Sequence, residues 1–302
     1  MNGAEIQSIK DLAKARKAVI LAHNYQPPDI QDLADLCGDS LELSRKAAQT
    51  DAEVIVFCGV HFMAETASIL SPEKTVLLPR MDAGCLMSDM ITAEALQMKI
   101  AALPPMPVVT YVNSTADVKA LSTICCTSAN VIQVVNSLAA DEMLLTPDRN
   151  LAMYAASRTR KKIHIWEGCC PTHERLTSED VRKARAEHPQ AVFIAHPECR
   201  PEVLAIADVI ASTSGMLRHA AQSKQKEFII GTEQGLLYPL GKANPDKRFY
   251  PASPKMICKN MKKIQPADVL RCLQTMTGEV KVPEEIRVPA FKAVEKMIQL
   301  KI

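Results

Sequence analysis

Three of the ten cysteines in this 302-residue chain recur at near-even spacing: Cys85, Cys170 and Cys258 are separated by 85 and 88 residues. Ten cysteines in a reducing compartment do not suggest a disulfide framework, so those with a task beyond packing are expected to be metal ligands or reactive thiols. Thiolates are soft donors, and three brought together suit an iron-sulfur cluster. A cubane held by three protein ligands keeps one iron open to substrate oxygen or nitrogen, which points to Lewis-acid dehydration instead of electron transport. There is no CxxC and no ferredoxin-type run, so spacing alone does not establish a cluster, nor does repetition choose between Cys170 and its neighbour Cys169. Cys37, Cys58, Cys125, Cys126 and Cys272 read as small buried hydrophobes, with Cys169 and Cys199 undecided.

A second set of residues offers acid-base chemistry. His23, Asn24 and Tyr25, then Tyr111 and Asn113, then His196 and Glu198 sit in polar turns just after apolar runs, with His23, Asn113 and His196 separated by 90 and 83 residues. The carboxyl ends of buried parallel strands are where open α/β sheets bind ligands. Ser40 in GDSLE, Ser128 in TSAN and Thr213 with Ser214 in STSG each follow their turn by 15 to 18 residues, where a helix should begin. Helix starts attract carboxylates and phosphates, although Ser, Thr and Asp are also ordinary caps, and Asp39 with Glu42 forms a capping-box pattern. His61, His164, His188 and His219 read as structural or surface histidines, and Met63, Met87 and Met90 as helix packing.

The elements that must position these groups are short β-branched runs alternating with helical stretches. Strands are expected at Val19–Leu21, Val54–Phe57, Val76–Leu78, Val108–Val112, Ile163–Trp166, Val192–Ala195 and Phe228–Ile230, which implies βαβ units and parallel sheets. The chain also resembles itself: AVILAHNYQPPDIQDLADLCGDS, PVVTYVNSTADVKALSTICCTSAN and AVFIAHPECRPEVLAIADVIASTSG share one plan of strand, polar turn, short helix and Ser/Thr-rich helix start. The predicted fold class is α/β, with three similar small domains around a pseudo-threefold axis. Their expected bounds are residues 1–85, 86–170 and 171–265, with C-terminal helices 266–302 packing back on the first. Leu103–Pro107 and Ser178–Pro189 are the expected junctions.

A net charge of +2, from 36 basic and 34 acidic residues, offers no block to attract nucleic acid or a membrane surface, so small-molecule substrates are expected. No apolar run approaches membrane-spanning length, and the first residues read as an amphipathic helix instead of a signal sequence, so a cytoplasmic location is expected. HExxH, GxGxxG and P-loop patterns are absent, which disfavours a zinc hydrolase, a dinucleotide-dependent dehydrogenase and a P-loop enzyme. A non-enzymatic iron-sulfur sensor or sugar-phosphate binder built from the same repeats would bind ligand without turnover.

The strings AHNYQ with GDSLELSRKA, TYVNS, CTSAN, WEGCCPTH, AHPEC, ASTSGM, GTEQG and CKNMK, in this order from about residue 18 to 263, closely resemble the quinolinate synthase family. The resemblance implies a [4Fe-4S] cluster held by Cys85, Cys170 of W-x-G-x-C-x-x-H and Cys258. It implies condensation of iminoaspartate with dihydroxyacetone phosphate to give quinolinate, phosphate and water in NAD biosynthesis, with an aspartate oxidase as functional partner. It further implies that Tyr25, His196 and Glu198 are catalytic, and that His23, Ser40, Tyr111, Asn113, Ser128, His173 and Thr213 bind substrate, Ser212 to Ser214 forming an anion-binding turn. The doubled Cys169–Cys170 departs from the pattern.

Overall fold

The β-branched runs become the strands of three parallel sheets in the computed structural model, which describes residues 3–300. The first unit contains β1 (Ala18–His23), β2 (Leu36–Gly38), β3 (Val54–Cys58) and β4 (Thr75–Leu77). The second contains β5 (Val108–Tyr111), β6 (Ile124–Cys126), β7 (Glu142–Thr146) and β8 (Lys162–Ile165). The third contains β9 (Val192–Ala195), β10 (Val209–Ile210), β11 (Glu227–Gly231) and β12 (Arg248–Pro251). Each sheet has the same order, β2-β1-β3-β4, β6-β5-β7-β8 and β10-β9-β11-β12, so the expectation of three similar α/β units is met. The first strand of every unit lies inside its sheet, covered on both faces, which is why its sequence is a near-continuous apolar run.

Five strands escaped the sequence reading: β2, β6, β7, β10 and β12. β2, β6 and β10 are edge strands of two or three residues, too short to show a period, and β12 is an edge strand ending at Pro251. In β7 the core of EMLLT is Met and Leu, residues that favour helix as readily as sheet. Every unit opens with a helix ahead of its first strand: Gly3–Ala15, Ala93–Ala101 and Ser178–Glu187. The last of these occupies the segment expected as a junction. Thr177 begins it through a capping box with Asp180.

The C-terminal segment lies against both the first and the second units. Leu78 N–H donates to the Gly278 carbonyl (2.8 Å) and Val280 N–H to Val76 (2.8 Å), adding a short extended stretch beside β4. Gly278 has φ +88°, and a Cβ there would stand 2.4 Å from the Leu78 carbonyl oxygen, so only glycine fits this approach. The helix Glu284–Gln299 then accepts, through the Ile298 and Leu300 carbonyls at its end, the Arg45 guanidinium of the first unit (3.2 and 3.0 Å), while Lys296 Nζ donates to the Thr123 carbonyl of the second (3.0 Å). The first and third units are joined at Asp32, whose carboxylate receives the Tyr238 hydroxyl and the Lys242 ammonium, both at 2.5 Å. Among the described residues no helix is long and apolar enough to cross a membrane.

One buried charge sits between the first two units. Lys119 is fully buried, with its ammonium donating to the Ser114 carbonyl, 5.6 Å from the centre of the Phe62 ring, and facing Glu65. Burial lowers the Lys119 pKa, and the Glu65 carboxylate opposes that shift. Glu65→Gln removes the compensating charge, so the unfolding free energy should fall by about 3 kcal/mol in urea denaturation. An unchanged midpoint would mean that Lys119 is neutral in the folded protein.

Candidate active site

The first strand of each unit ends in a tight turn that throws polar side chains off the sheet edge. The Gln26 N–H closes on the His23 carbonyl and the Cys199 N–H on the His196 carbonyl, both at 2.9 Å. In each of these turns the imidazole Nδ1 accepts the backbone N–H two residues on: Tyr25 to His23 at 3.2 Å, Glu198 to His196 at 3.4 Å. Nδ1 being the acceptor, the neutral ring carries its proton on Nε2. In the second unit Val112 N–H bonds the Cys126 carbonyl, and Tyr111 and Asn113 follow β5.

All these turns open onto one cavity of about 380 Å³. The first unit lines it with His23, Tyr25, Ser40 and Cys85, and the second with Tyr111, Asn113, Ser128 and Cys170. His173, His196, Glu198, Thr213 and Cys258 complete it from the third side. All of these were expected from sequence, whereas Asn24, Ser212 and Ser214, singled out with them, are not on the wall. Cys169 is not, although its neighbour is, and His61, His164, His188 and His219 also lie elsewhere. Met63 and Met87 pack in the core and present an apolar flank to the same space.

The centre of the cavity is a buried hydrogen-bond chain. His173 Nδ1 lies 2.6 Å from Glu198 Oε2 and 3.2 Å from Cys170 Sγ. On the far side of the ring Nε2 meets Thr232 Oγ1 at 2.8 Å, and that hydroxyl meets the Tyr25 hydroxyl at 2.5 Å. The His196 ring stacks on His173 with centroids 4.6 Å apart. Thr232 went unnoticed in the sequence; its signal was the GTEQG string following an apolar run, the same strand-then-polar-turn pattern as the histidine turns.

Charge in this chain is set by burial and by neighbours. Burial pushes His23 down to about 3, Lys262 adding to the effect against Glu198, and burial with His173 does the same to His196. Both rings are thus neutral near neutral pH. Burial works against a charged Glu198, but His173, His196 and Tyr111 outweigh it and hold the carboxyl at about 2. Tyr25 and Tyr111 are driven well above the ordinary phenol range by burial and then by Glu198, so both keep their protons. Glu198 Oε1 and Asn113 Oδ1 are buried and carry no hydrogen bond among the described residues, which marks them as acceptors that a bound ligand would satisfy.

The helix starts differ from expectation in one respect. The helices Ser40–Gln49 and Thr213–Gln222 do begin at the expected positions, but Asp39 Oδ1 already takes the Leu41 and Glu42 N–H groups at 3.0 Å. A carboxylate of the protein thus takes two of the N–H groups an anion could use at this end, where Ser40 lines the cavity. Ser128 lies ahead of the third such helix, Val131–Ser137, whose cap is Asn130.

The three cavity cysteines have a common local setting, each just ahead of a helical turn: Ser88–Met90, Pro171–Glu174 and Asn260–Lys262. Backbone N–H groups of Met87 and Ser88 face the Cys85 sulfur, that of His173 faces Cys170, and those of Asn260 and Met261 face Cys258. Buried acids fix two of these loops: Asp148 accepts the Cys170 N–H (3.2 Å), and Glu233 accepts the Cys258 N–H (3.1 Å) while pairing with Lys262 (2.8 Å). Gly168 lets the Cys170 loop approach, because a Cβ there would lie 2.5 Å from the Pro147 carbonyl oxygen. Burial raises all three thiols, Cys85 to about 12, so each would shed its proton to a metal and not spontaneously to water. Only Cys170, with His173 and Glu198, forms a trio among the described residues whose ligand atoms all lie within 4.8 Å of one another. Cys85 and Cys258 stand outside it. Three thiols around one cavity, wider than a single ion spans and each aimed at by N–H groups, fit a polynuclear iron-sulfur group.

The family model for quinolinate synthetase A protein matches residues 7–299. Among curated proteins, a quinolinate synthase of Geobacter sp. (strain M21) is 57% identical over 97% of this chain and 96% of its own. A quinolinate synthase of Thermodesulfovibrio yellowstonii is 53% identical, and quinolinate synthase 1 of Methanosarcina acetivorans 54%, each covering 98% of both chains. With the match running through all three sheets and every cavity turn, the chain belongs to the quinolinate synthetase A family.

Proposed function

We propose that this chain makes quinolinate for NAD biosynthesis, condensing iminoaspartate with dihydroxyacetone phosphate in the cytoplasm, with release of phosphate and water. The observation that carries the reading is the single cavity at which acid-base groups, hydroxyl donors and three cysteines from all parts of the fold meet. Iminoaspartate would come from a separate aspartate oxidase.

The substrates bring two carboxylates and a phosphate. Ser40, Ser128 and Thr213, with the Asn113 amide, offer donors around the wall, and the neutral His23 and His196 rings each present an Nε2–H. Asn24 Nδ2 donates to Thr213 Oγ1 at 2.9 Å, which leaves that hydroxyl's proton free for a ligand. Loss of phosphate, isomerisation, ring closure and dehydration each need a proton moved at a defined place. The order of hydrogen bonds supplies a route: the Tyr25 hydroxyl donates to Thr232, Thr232 donates to His173 Nε2, and His173 Nδ1–H donates to the Glu198 carboxylate. When Tyr25 takes a proton from substrate, its own moves to Thr232 and that of Thr232 to His173 Nε2, and Glu198 stabilises the imidazolium so formed. Cys85, Cys170 and Cys258 would hold a [4Fe-4S] cluster, which when bound supplies Lewis-acid chemistry for loss of a hydroxyl.

Thr232→Val removes the hydroxyl from the middle of this line while keeping the shape. Turnover should fall roughly 100-fold with little change in KM, and Thr232→Ser should restore most of it. An equal loss in both variants would mean that the threonine methyl, through packing, is what matters. The reading as a whole is tested by anaerobic purification with iron and sulfide, visible spectra, and an assay with enzymatically generated iminoaspartate and dihydroxyacetone phosphate. Brown protein that forms quinolinate supports it. A cluster without product would reduce the chain to a binder or sensor.

A further inference from the structure

We propose that the cluster-free chain holds a single zinc-class divalent cation at Cys170, His173 and Glu198, a site nested inside the wider cysteine set and mutually exclusive with it. Cys170 Sγ, His173 Nδ1 and Glu198 Oε2 converge to within 4.8 Å of one another, with the Nδ1 atom 3.2 Å from the sulfur and 2.6 Å from the carboxylate oxygen. One sulfur, one imidazole nitrogen and one carboxylate oxygen are the donor types of an open, catalytic-style zinc site, with a fourth position left facing the cavity. Small movements of the two long side chains would open the space an ion needs between them.

Charge balance favours the ion. A divalent cation bound by one thiolate, one carboxylate and one imidazole leaves the buried site without net charge, the thiol proton going to solvent. The supporting shell is present as well. Thr232 Oγ1, 2.8 Å from His173 Nε2, accepts the proton that ring carries once Nδ1 binds metal, and Asp148 holds the Cys170 N–H at 3.2 Å. Glu198 Oε1 is buried without a partner and lies beside this space, ready to act as the second oxygen of a bidentate carboxylate or to bond a water on the ion. Cys85 and Cys258 contribute nothing to the site, which separates it from the three-cysteine reading; the inference leans on that reading only in that Cys170 is shared, so a cation here would block cluster assembly.

The test uses the full chain stripped of iron with a chelator under argon and titrated with Co²⁺ and then Zn²⁺, each protein checked by circular dichroism. The expected result is one Co²⁺ per chain with thiolate-to-cobalt absorption, displaced by Zn²⁺, and preserved in the Cys85→Ser/Cys258→Ser double variant. His173→Gln and Glu198→Gln should each weaken binding at least about 100-fold, and one equivalent of Zn²⁺ should halt iron incorporation. Loss of binding in a folded double variant would overturn the proposal, since the three cysteines would then be the cation's ligands. So would undiminished binding in His173→Gln. Quinolinate formation by iron-reconstituted parent protein is measured separately, so failure of the zinc site and failure of the catalytic reading leave different records.

Discussion

Cys170→Ser protein, reconstituted anaerobically with iron and sulfide, should emerge without brown absorbance and without quinolinate formation, whereas Cys169→Ser should keep both. A serine hydroxyl is a hard, weakly acidic donor that does not replace a thiolate on iron. The neighbouring thiol does not rescue it, for a geometric reason. Cys170 faces the cavity beside His173, while Cys169 lies off its wall with its N–H turned to Met90 Sδ at 3.4 Å. Consecutive residues in an extended loop point to opposite sides, and the Asp148 bond to the Cys170 N–H, with Gly168 pressed against Pro147, fixes which one points inward. Iron and sulfide content per chain, read beside the spectrum, decides the matter; a cluster in Cys170→Ser that vanishes in Cys169→Ser would reverse the assignment. Cys85→Ser and Cys258→Ser should behave like Cys170→Ser.

The second large effect is expected at Glu198. Glu198→Gln should lower kcat by roughly 10²- to 10⁴-fold while the protein keeps its fold and its cluster. The carboxylate sits between two imidazoles, 2.6 Å from His173 Nδ1 and 3.7 Å from His196 Nδ1, in a place where burial alone would neutralise it. Its charge survives because those rings and Tyr111 repay the desolvation, and the same interaction stabilises positive charge on His173 when a proton arrives. An amide of the same shape keeps the hydrogen bond and loses the charge. Steady-state kinetics should therefore show the loss in kcat, with KM moving much less. A fall confined to KM would make Glu198 a substrate-binding residue instead of part of the proton route.

The positions of the acid-base turns were readable from sequence because each is local: a buried run, a polar turn and a helix within about 25 residues. Repetition then told which turns belong together. What escaped was whatever depends on partners distant in the chain. Thr232 matters because it lies between Tyr25 and His173, and Glu233 because it meets Lys262 and the Cys258 loop, relations that no local pattern encodes. Cys169 against Cys170 is a choice of one residue in register, set by Asp148 and Gly168, so spacing near 85 could not make it. At the Ser40 helix the capping box was legible, but its consequence was not: Asp39 takes two of the donors that an incoming anion would otherwise use.

The C-terminal stitch bears on how the molecule comes into being. The contacts of Gly278, Val280, Lys296 and Ile298 reach back to residues 78, 76, 123 and 45, so the C-terminal segment straps a joint that Lys119 and Phe62 already make directly. Each sheet can form as it leaves the ribosome, since its strands are neighbours in sequence. The contacts of residues 276–300 join positions far apart in sequence, and long-range closure of this kind is slow compared with folding of a single unit. Cys85, Cys170 and Cys258 each follow the last strand of their sheet, β4, β8 and β12, and share one cavity only when the units are docked, so a group that needs all three depends on docking and not on the folding of any one unit.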